Sequence, residues 1–242
     1  MSRMTRRTAG SSVARTSGRA ASLALGLLLS VLAGALPARD AAAQWNVARF
    51  DLERNRVYTT FGLDPALVTS LGYARVIPLR GHAFQLAGDA GVVAAGMDTR
   101  DFRARLATQT SLVRWRSLHI TGSATFLTRG TENSIYQGLN FGADFTGTLG
   151  VYRHRWFAAG EFGFDKAIVT HLKHSDWYRT HFYADAKDGW YLDAGGTFHY
   201  GMACGLALGR AEVVGRFGWL RTEDFNELTP PMYASLGVGF GL

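Results

Sequence analysis

From residue 57 to the last residue, apolar side chains return at every second position in one segment after another, and this period limits the fold more than any other feature. A period of two places successive side chains on opposite faces of a strand, so each segment reads as a strand with one apolar and one polar face. Segment 57–77 is apolar on odd numbers and is broken by Asp64-Pro65. Segment 82–96 sets Phe84, Leu86, Ala90, Val92 and Ala94 against Gln85, Asp89 and Gly91. Segments 102–114, 118–128 and 137–151 follow, with Phe102, Leu106, Ile120, Phe126, Phe141 and Phe145 on their apolar faces. Segment 156–165 is rich in Gly and Phe, with Glu161 and Asp165 on one parity. Segments 190–208, 211–221 and 232–242 complete the series.

The connections between these segments suggest an order in space. Short links fall near Leu79, Trp115, His154 and Gly209; longer ones span 128–136, 165–189 and 222–231, with a moderate one near Asp98. Short and long links alternate, as tight periplasmic turns and longer external loops do in membrane-spanning barrels. Nine segments are odd, whereas both chain ends belong on the periplasmic side. A turn at Asp64-Pro65 that splits 57–77, or an added strand at 45–52, makes ten. An eight-stranded barrel, which needs one hairpin here to be misread, is the alternative.

The last eight residues, Ser235-Leu236-Gly237-Val238-Gly239-Phe240-Gly241-Leu242, alternate strictly up to the final carboxylate. This ending resembles the C-terminal assembly signal of bacterial outer-membrane β-barrels, with Ser235, Gly237, Phe240 and Leu242 at the signal's positions. Members of such families more often end in Phe, so Leu242 is a departure. The resemblance implies an all-β, closed antiparallel up-and-down barrel in the outer membrane of a Gram-negative cell envelope. It also implies outer-membrane lipid as surroundings and the barrel-assembly machinery as a partner during biogenesis. Closure answers a physical demand, because in lipid every backbone donor and acceptor must be paired internally and a sheet can have no edge.

Residues 1–43 read as an export signal, leaving 44–242 as the barrel domain. Arg3, Arg6, Arg7, Arg15 and Arg19 form a basic start, 20–36 is an apolar run, and Ala41-Ala42-Ala43 offers a small-x-small cleavage site. The apolar run is short for a permanent spanning helix, which needs about 20 residues. Arg6-Arg7 lacks the closely following apolar residues of a twin-arginine signal, which leaves the general secretory route. No cysteine stands at the cleavage site to take a lipid anchor. The signal also explains the charge: the chain has 26 Lys+Arg against 19 Asp+Glu, and 1–43 holds six Arg and one Asp. The remainder is near neutral, so the basic pI gives a nucleic-acid partner no support. A lone cysteine, Cys204, excludes an intrachain disulfide framework.

A secreted lipocalin-type barrel also alternates, and three features argue against it. The apolar parity is almost free of charge over roughly ten residues, the span a tilted strand needs to cross hydrocarbon. Aromatics gather near strand ends: Tyr73, Phe84, Trp115, Tyr152 and Trp156 beside short turns, and Phe102, Phe126, Tyr136, Trp190, Trp219 and Tyr233 beside long links, as two interfacial belts require. The polar parity is Gly, Ser and Thr with scattered charges, whereas the chain's three lysines, Lys166, Lys173 and Lys187, stand at or in one long link.

Two places hold reactive side chains. The inward parity carries Asp89, Arg103, Arg105, Asp144, Glu161, Asp165, His199, Glu212 and Arg216, both signs on neighbouring strands. In barrels near eight strands side chains fill the interior, so this set reads as an internal charge network in a filled lumen, with a narrow small-solute channel as an alternative. The 165–189 link carries His171, His174, Ser175 and Asp176, and Ile168, Leu172 and Ser175 recur at helical spacing, which suggests a short rim helix. His with Ser is the pairing of outer-membrane lipid enzymes, so a lipid hydrolase or acyltransferase is the alternative function. His171 and His174 with Asp176 or His181 offer a weaker metal reading. No H-E-x-x-H, G-x-S-x-G or Cys-pair motif accompanies either, so no metal or cofactor is assigned. The preferred expectation is a structural or surface-binding barrel acting through the 165–189 link.

Overall fold

The computed structural model describes residues 44–64, 66–79, 81–93, 100–192 and 195–242. The expected export segment 1–43 and the end of the 82–96 alternation lie outside the described residues. Eleven strands follow one another: β1 (Asn55–Asp64), β2 (Ala66–Leu79), β3 (His82–Val93), β4 (Phe102–Trp115), β5 (Leu118–Glu132), β6 (Tyr136–Arg153), β7 (Trp156–His174), β8 (Gly189–Leu192), β9 (Gly196–Leu208), β10 (Ala211–Thr222) and β11 (Glu227–Gly241). A short helix, α1 (Asp176–His181), lies between β7 and β8.

Ten of the strands pair antiparallel in chain order, with β7 passing over β8 to pair with β9, and β11 returns to β1 from Arg56↔Gly241 to Leu63↔Ala234. The ring is therefore closed, and the eight-stranded alternative is excluded. The tenth strand comes from the split at residue 65: β1 and β2 pair from Asn55↔Arg75 to Asp64↔Ala66. Residues 45–52 supply no strand, contrary to one expectation. They hold a 3₁₀ turn, Val47–Arg49, inside the barrel. Their sequence lacks the period that a strand needs.

Facing follows the alternation. Val57, Phe61, Leu71, Tyr73, Leu106, Phe145, Phe162, Met202, Phe217 and Phe240 are exposed on the outer surface, whereas Tyr58, Ser70, Gln85, Gln109, Thr121, Thr146 and Glu161 are buried inside. Cys204 is exposed on the apolar face. A charge on such an outer face costs about 2–4 kcal/mol near the bilayer midplane, which accounts for the lack of charge there. The alternation breaks at bulges, as in β4, where a register shift between Ser111 and Val113 turns Leu112 and Val113 outward in succession. A closed ring with an apolar outer band and a polar, charged interior is built to span lipid, and the protein is an integral outer-membrane barrel.

The tight links are made as their chemistry requires. Gly81, Arg116 and Gly209 adopt φ of 85°, 55° and 65°, the left-handed conformation that two-residue hairpin turns demand. These turns share an end with the chain terminus, since the Leu242 N–H donates to the Asn55 carbonyl at 2.9 Å. That end is the periplasmic one.

At the other end the wall is uneven. Strands β5, β6 and β7 run on to Glu132, Tyr136 and His174, so the expected 128–136 link shrinks to 133–135. Likewise β11 begins at Glu227 and shortens the 222–231 link to 223–226. The 165–189 link becomes 175–188 plus β8, which pairs with the upper end of β7 from Val169↔Leu192 to Leu172↔Gly189. Ile168, Leu172 and Ser175 therefore do not share a helix. Residues up to His174 continue β7 because β6 and β8 pair with them on both sides.

Candidate functional site

Above the membrane band, β5, β6, β7 and β8 form a raised wall. Its outward face carries a row of rings: Phe126 lies 6.4 Å from Phe141, and Phe141 lies 6.4 Å from Trp190, both stacked. His171 packs its ring 4.8 Å from the same Trp190. Trp190 is 59% exposed and Leu192 79%. Among the described residues no strand pairs with the far side of β8, so its backbone groups form an open sheet edge beside exposed apolar side chains.

The segment 175–188 is tied down by two polar anchors. Ser175 caps α1: its Oγ accepts from the Tyr178 N–H at 3.1 Å and donates to the Ser134 carbonyl at 2.6 Å, while its own N–H reaches the Ile135 carbonyl at 2.9 Å. Asp188 accepts from the His174 N–H at 2.8 Å, meets His174 Nδ1 at 3.2 Å and takes Arg179 Nη2 at 2.6 Å. The backbone N–H of His174, then the Arg179 guanidinium, hold the Asp188 carboxyl well below the usual carboxylate range. Tyr178 is buried and stacks 5.4 Å from the His174 ring, whereas Trp177, Phe182 and Tyr183 stay exposed.

The residues expected to act together in catalysis are thus engaged elsewhere. Ser175 Oγ is used in capping, His174 faces Asp188, His171 lies against Trp190, and Asp176 is exposed near Arg179 at 3.8 Å. No histidine is placed on Ser175 by these contacts. Among the described residues no group of three or more His, Cys, Asp or Glu is arranged to hold a metal ion.

Inside the barrel the inward charges form layers. In the outer layer Arg129 donates to Asp165 at 2.6 Å, and Arg103, buried, stands across the β4–β5 pair from Arg129. In the middle, Arg216 binds Glu161 through Nε at 2.9 Å and Nη2 at 3.0 Å, and the Tyr233 hydroxyl donates to the same carboxylate. Arg105 holds Asp89 through Nε at 2.8 Å, and the Tyr58 hydroxyl donates to the other oxygen at 2.8 Å. His199 Nε2 meets Thr146 Oγ1 at 3.0 Å, and that hydroxyl donates to Asp144 at 2.8 Å. In the lowest layer Glu212 accepts from the Asn46 N–H at 3.0 Å and pairs with Arg56 at 2.8 Å. The Glu161, Asp89 and Glu212 carboxylates are each held by two groups, as burial requires.

Several members of this network were not singled out from sequence. Arg56, Arg129 and Tyr58 share the polar parity and were open to the same argument. Tyr136, Tyr152 and Tyr233, placed in the aromatic belts by position along the strand, face inward and are buried. Parity, which assigns them to the polar face, outranks nearness to a strand end. Gln44, Trp45, Asn46 and Arg49, which close the lower lumen, carried no signal at all. In the terminal strand Phe240 and Leu242 face outward, whereas Gly237, Gly239 and Gly241 are inward.

No protein-family model matches this chain, and none of the curated proteins matches it. Among solved structures, it is similar to Ail, the attachment invasion locus protein of Yersinia pestis, with 9% identity over 78% of this chain and 98% of that chain and a TM-score of 0.37. The overlap is loose, and the architecture rests on the strand pairings themselves.

Proposed function

We propose that this protein is a non-conducting outer-membrane barrel that displays the raised β5–β8 wall as a binding surface for an extended segment of another polypeptide. The observation that carries this reading is the unpaired edge of β8 next to the exposed Trp190 and Leu192. An open edge gives backbone hydrogen bonds to an added strand, and alternate apolar side chains give it grip. The layers of buried ion pairs and the segment 44–50 within the barrel support a filled lumen rather than a pore. Capping of the only serine in the loop, Ser175, speaks against the lipid-hydrolase alternative.

The test uses the purified protein in phospholipid vesicles, with an immobilised peptide of alternating Val and Thr as probe. Wild type is retained, and Trp190→Ser with Leu192→Ser is retained at least tenfold less, a difference of about 1.4 kcal/mol. Equal retention of the two overturns the binding reading. In planar bilayers wild type gives no unitary conductance; discrete conductance steps would promote the narrow channel. Incubated with phospholipid or lipopolysaccharide, wild type releases no fatty acid. Release that disappears in both His174→Ala and Ser175→Ala would promote the enzyme.

A further inference from the structure

Cations are divided unevenly between the two ends of the barrel. At the periplasmic end Arg114 and Arg116 stand at the β4–β5 turn, and Arg153 and Arg155 at the β6–β7 turn. Arg210 lies in the β9–β10 turn. Where the chain enters β1, Arg54 and Arg75 line one hollow with Asn55. All seven are exposed, and none of them has an ion-pair partner among the described residues.

The carboxylates nearest to them are already engaged. Glu53 pairs with Arg49 and, at 3.0 Å, with Arg56, and Glu212 pairs with Arg56 at 2.8 Å. Those two arginines hold the plug that residues 44–50 form in the lower lumen, and their charges cancel against these acids. Among the described residues Asp51 is the exposed acidic side chain that remains at this end. With the terminal carboxylate of Leu242 it sets two negative charges against seven positive ones. At the outer end cations are matched instead: Lys166 meets Glu223 at 2.8 Å, Arg179 meets Asp188 at 2.6 Å and Arg221 meets Glu227 at 2.9 Å.

Two tryptophans give the depth of the free arginines. The Arg116 guanidinium lies 5.8 Å from the Trp115 ring, and the Arg153 guanidinium 5.8 Å from the Trp156 ring. Both rings are exposed on the apolar outer face, and a Trp ring in that position sits at headgroup level. Arg75 is on the outward parity of β2, between the exposed Tyr73 and Ile77. These cations therefore stand at the level of lipid phosphates. A guanidinium presents paired donors that match two phosphate oxygens. The elements that carry them, β1, β4, β6 and β9, are spread around the closed ring. A docked soluble protein covers one side of such a rim, whereas a lipid leaflet meets all of it.

We infer that the periplasmic rim is an arginine collar that gathers anionic phospholipid of the periplasmic leaflet through its phosphates and fixes the depth of the barrel there. A net-anionic lipid is preferred because a zwitterionic headgroup brings its own cation to the phosphate. The inference stands whatever the outer wall binds and whether or not the lumen conducts.

The test places the purified barrel in phosphatidylcholine vesicles that contain a trace of phosphatidylglycerol or phosphatidylcholine spin-labelled on an acyl chain. The immobilised share of the label reports lipid held at the wall. Wild type is expected to hold phosphatidylglycerol about fivefold over phosphatidylcholine, the factor that one well-placed cation supplies at a membrane face. Raising NaCl from about 0.1 M to about 1 M shortens the screening length from about 10 Å to about 3 Å and should bring the ratio close to one. Arg153→Gln, Arg155→Gln and Arg210→Gln together should lower the ratio at least about twofold. Arg100→Gln, Lys173→Gln and Lys187→Gln, the same loss of charge at the outer end, should leave it as in wild type. A wild-type ratio near one overturns the proposal, as does an equal fall in both triple variants, which makes net charge alone the cause. Loss of the preference on adding inorganic phosphate at constant ionic strength assigns the collar to free phosphate. Retention of soluble polyglutamate by a barrel that shows no lipid preference assigns it to an acidic polypeptide. Either result overturns the lipid reading. Should the periplasmic triple variant fail to assemble, seen by heat-modifiable migration, Arg155→Gln with Arg210→Gln, both confined to turns, is read the same way. The salt response of wild type decides independently of either.

Discussion

The two halves of the barrel interior are filled by different means. The periplasmic half is packed like the core of a soluble domain: Trp45, Val47 and Phe50 lie among Ala74, Val76, Ala87, Phe157, Ala159, Ala203 and Val214. The half nearer the outside is filled by the wall's own charged side chains, in pairs such as Arg216–Glu161 and Arg129–Asp165. The contrast has a physical origin. A segment inserted from outside the wall brings apolar surface that must be buried, and small residues opposite it make room. Where no segment enters, long polar side chains must reach each other across the lumen, and each needs a partner. The lower half is thus a joint between two pieces of chain, and the upper half is part of the wall.

This difference predicts different responses to mutation. The largest is expected for Glu161→Leu, which removes the buried carboxylate to which the Arg216 guanidinium and the Tyr233 hydroxyl both donate. Breaking a buried pair this way costs about 3–5 kcal/mol, read as a lower urea midpoint for the barrel in vesicles. Adding Arg216→Met should restore most of the loss. If the single variant unfolds at the wild-type midpoint, the charged layers are not part of the wall's stability.

Trp45→Ala should cost about 3 kcal/mol for the cavity it leaves, but only in the plug. Amides 45–50 should exchange roughly a hundredfold faster, with 1.4 kcal/mol counting for each tenfold. A barrel midpoint that falls by the same amount would show that plug and wall melt as one, and the contrast between the halves would fail.

Ser175→Ala removes the cap of α1 and should cost about 1 kcal/mol, confined to faster exchange in 176–188. The barrel midpoint should not move.

The smallest effect is a pH dependence at the rim. Asp188 is held below the carboxylate range in the folded loop, and an unfolded Asp titrates near 3.9. A depressed folded pKa means that its contribution is complete above the unfolded value and is lost as pH falls through the folded one. Exchange in 175–188, corrected for its intrinsic rate, should therefore be flat from pH 8 to 5 and rise only below about pH 4. A rise already complete above pH 5 would overturn Asp188 as the titrating anchor.

Much of this molecule could be read from the amino acids alone. The period of two tells which side chains face lipid, because facing is a local property of a strand and does not depend on which strand lies beside it. It placed Phe240 outward, and it placed Arg216 and Glu161 on one inward face. A count of ten could be read in two ways, from a turn at Asp64-Pro65 or from a strand at 45–52, and the β1–β2 pairing decided for the first. Partners were another matter. That Arg216 takes Glu161 rather than Asp144 depends on β7–β9–β10 register, and register is set by all the pairings around the ring. The reach of β6 and β7 beyond the membrane depends on their supporting each other there, which overrode the helical spacing of Ile168, Leu172 and Ser175. Tyr136, Tyr152 and Tyr233 went inward because a phenol on the polar parity finds lumen partners, such as Glu161 for Tyr233. Residues 44–50 carry no period, so nothing local marks their place. Only the closed ring creates a space for Trp45 to fill, and a space bounded by ten strands belongs to the tertiary structure alone.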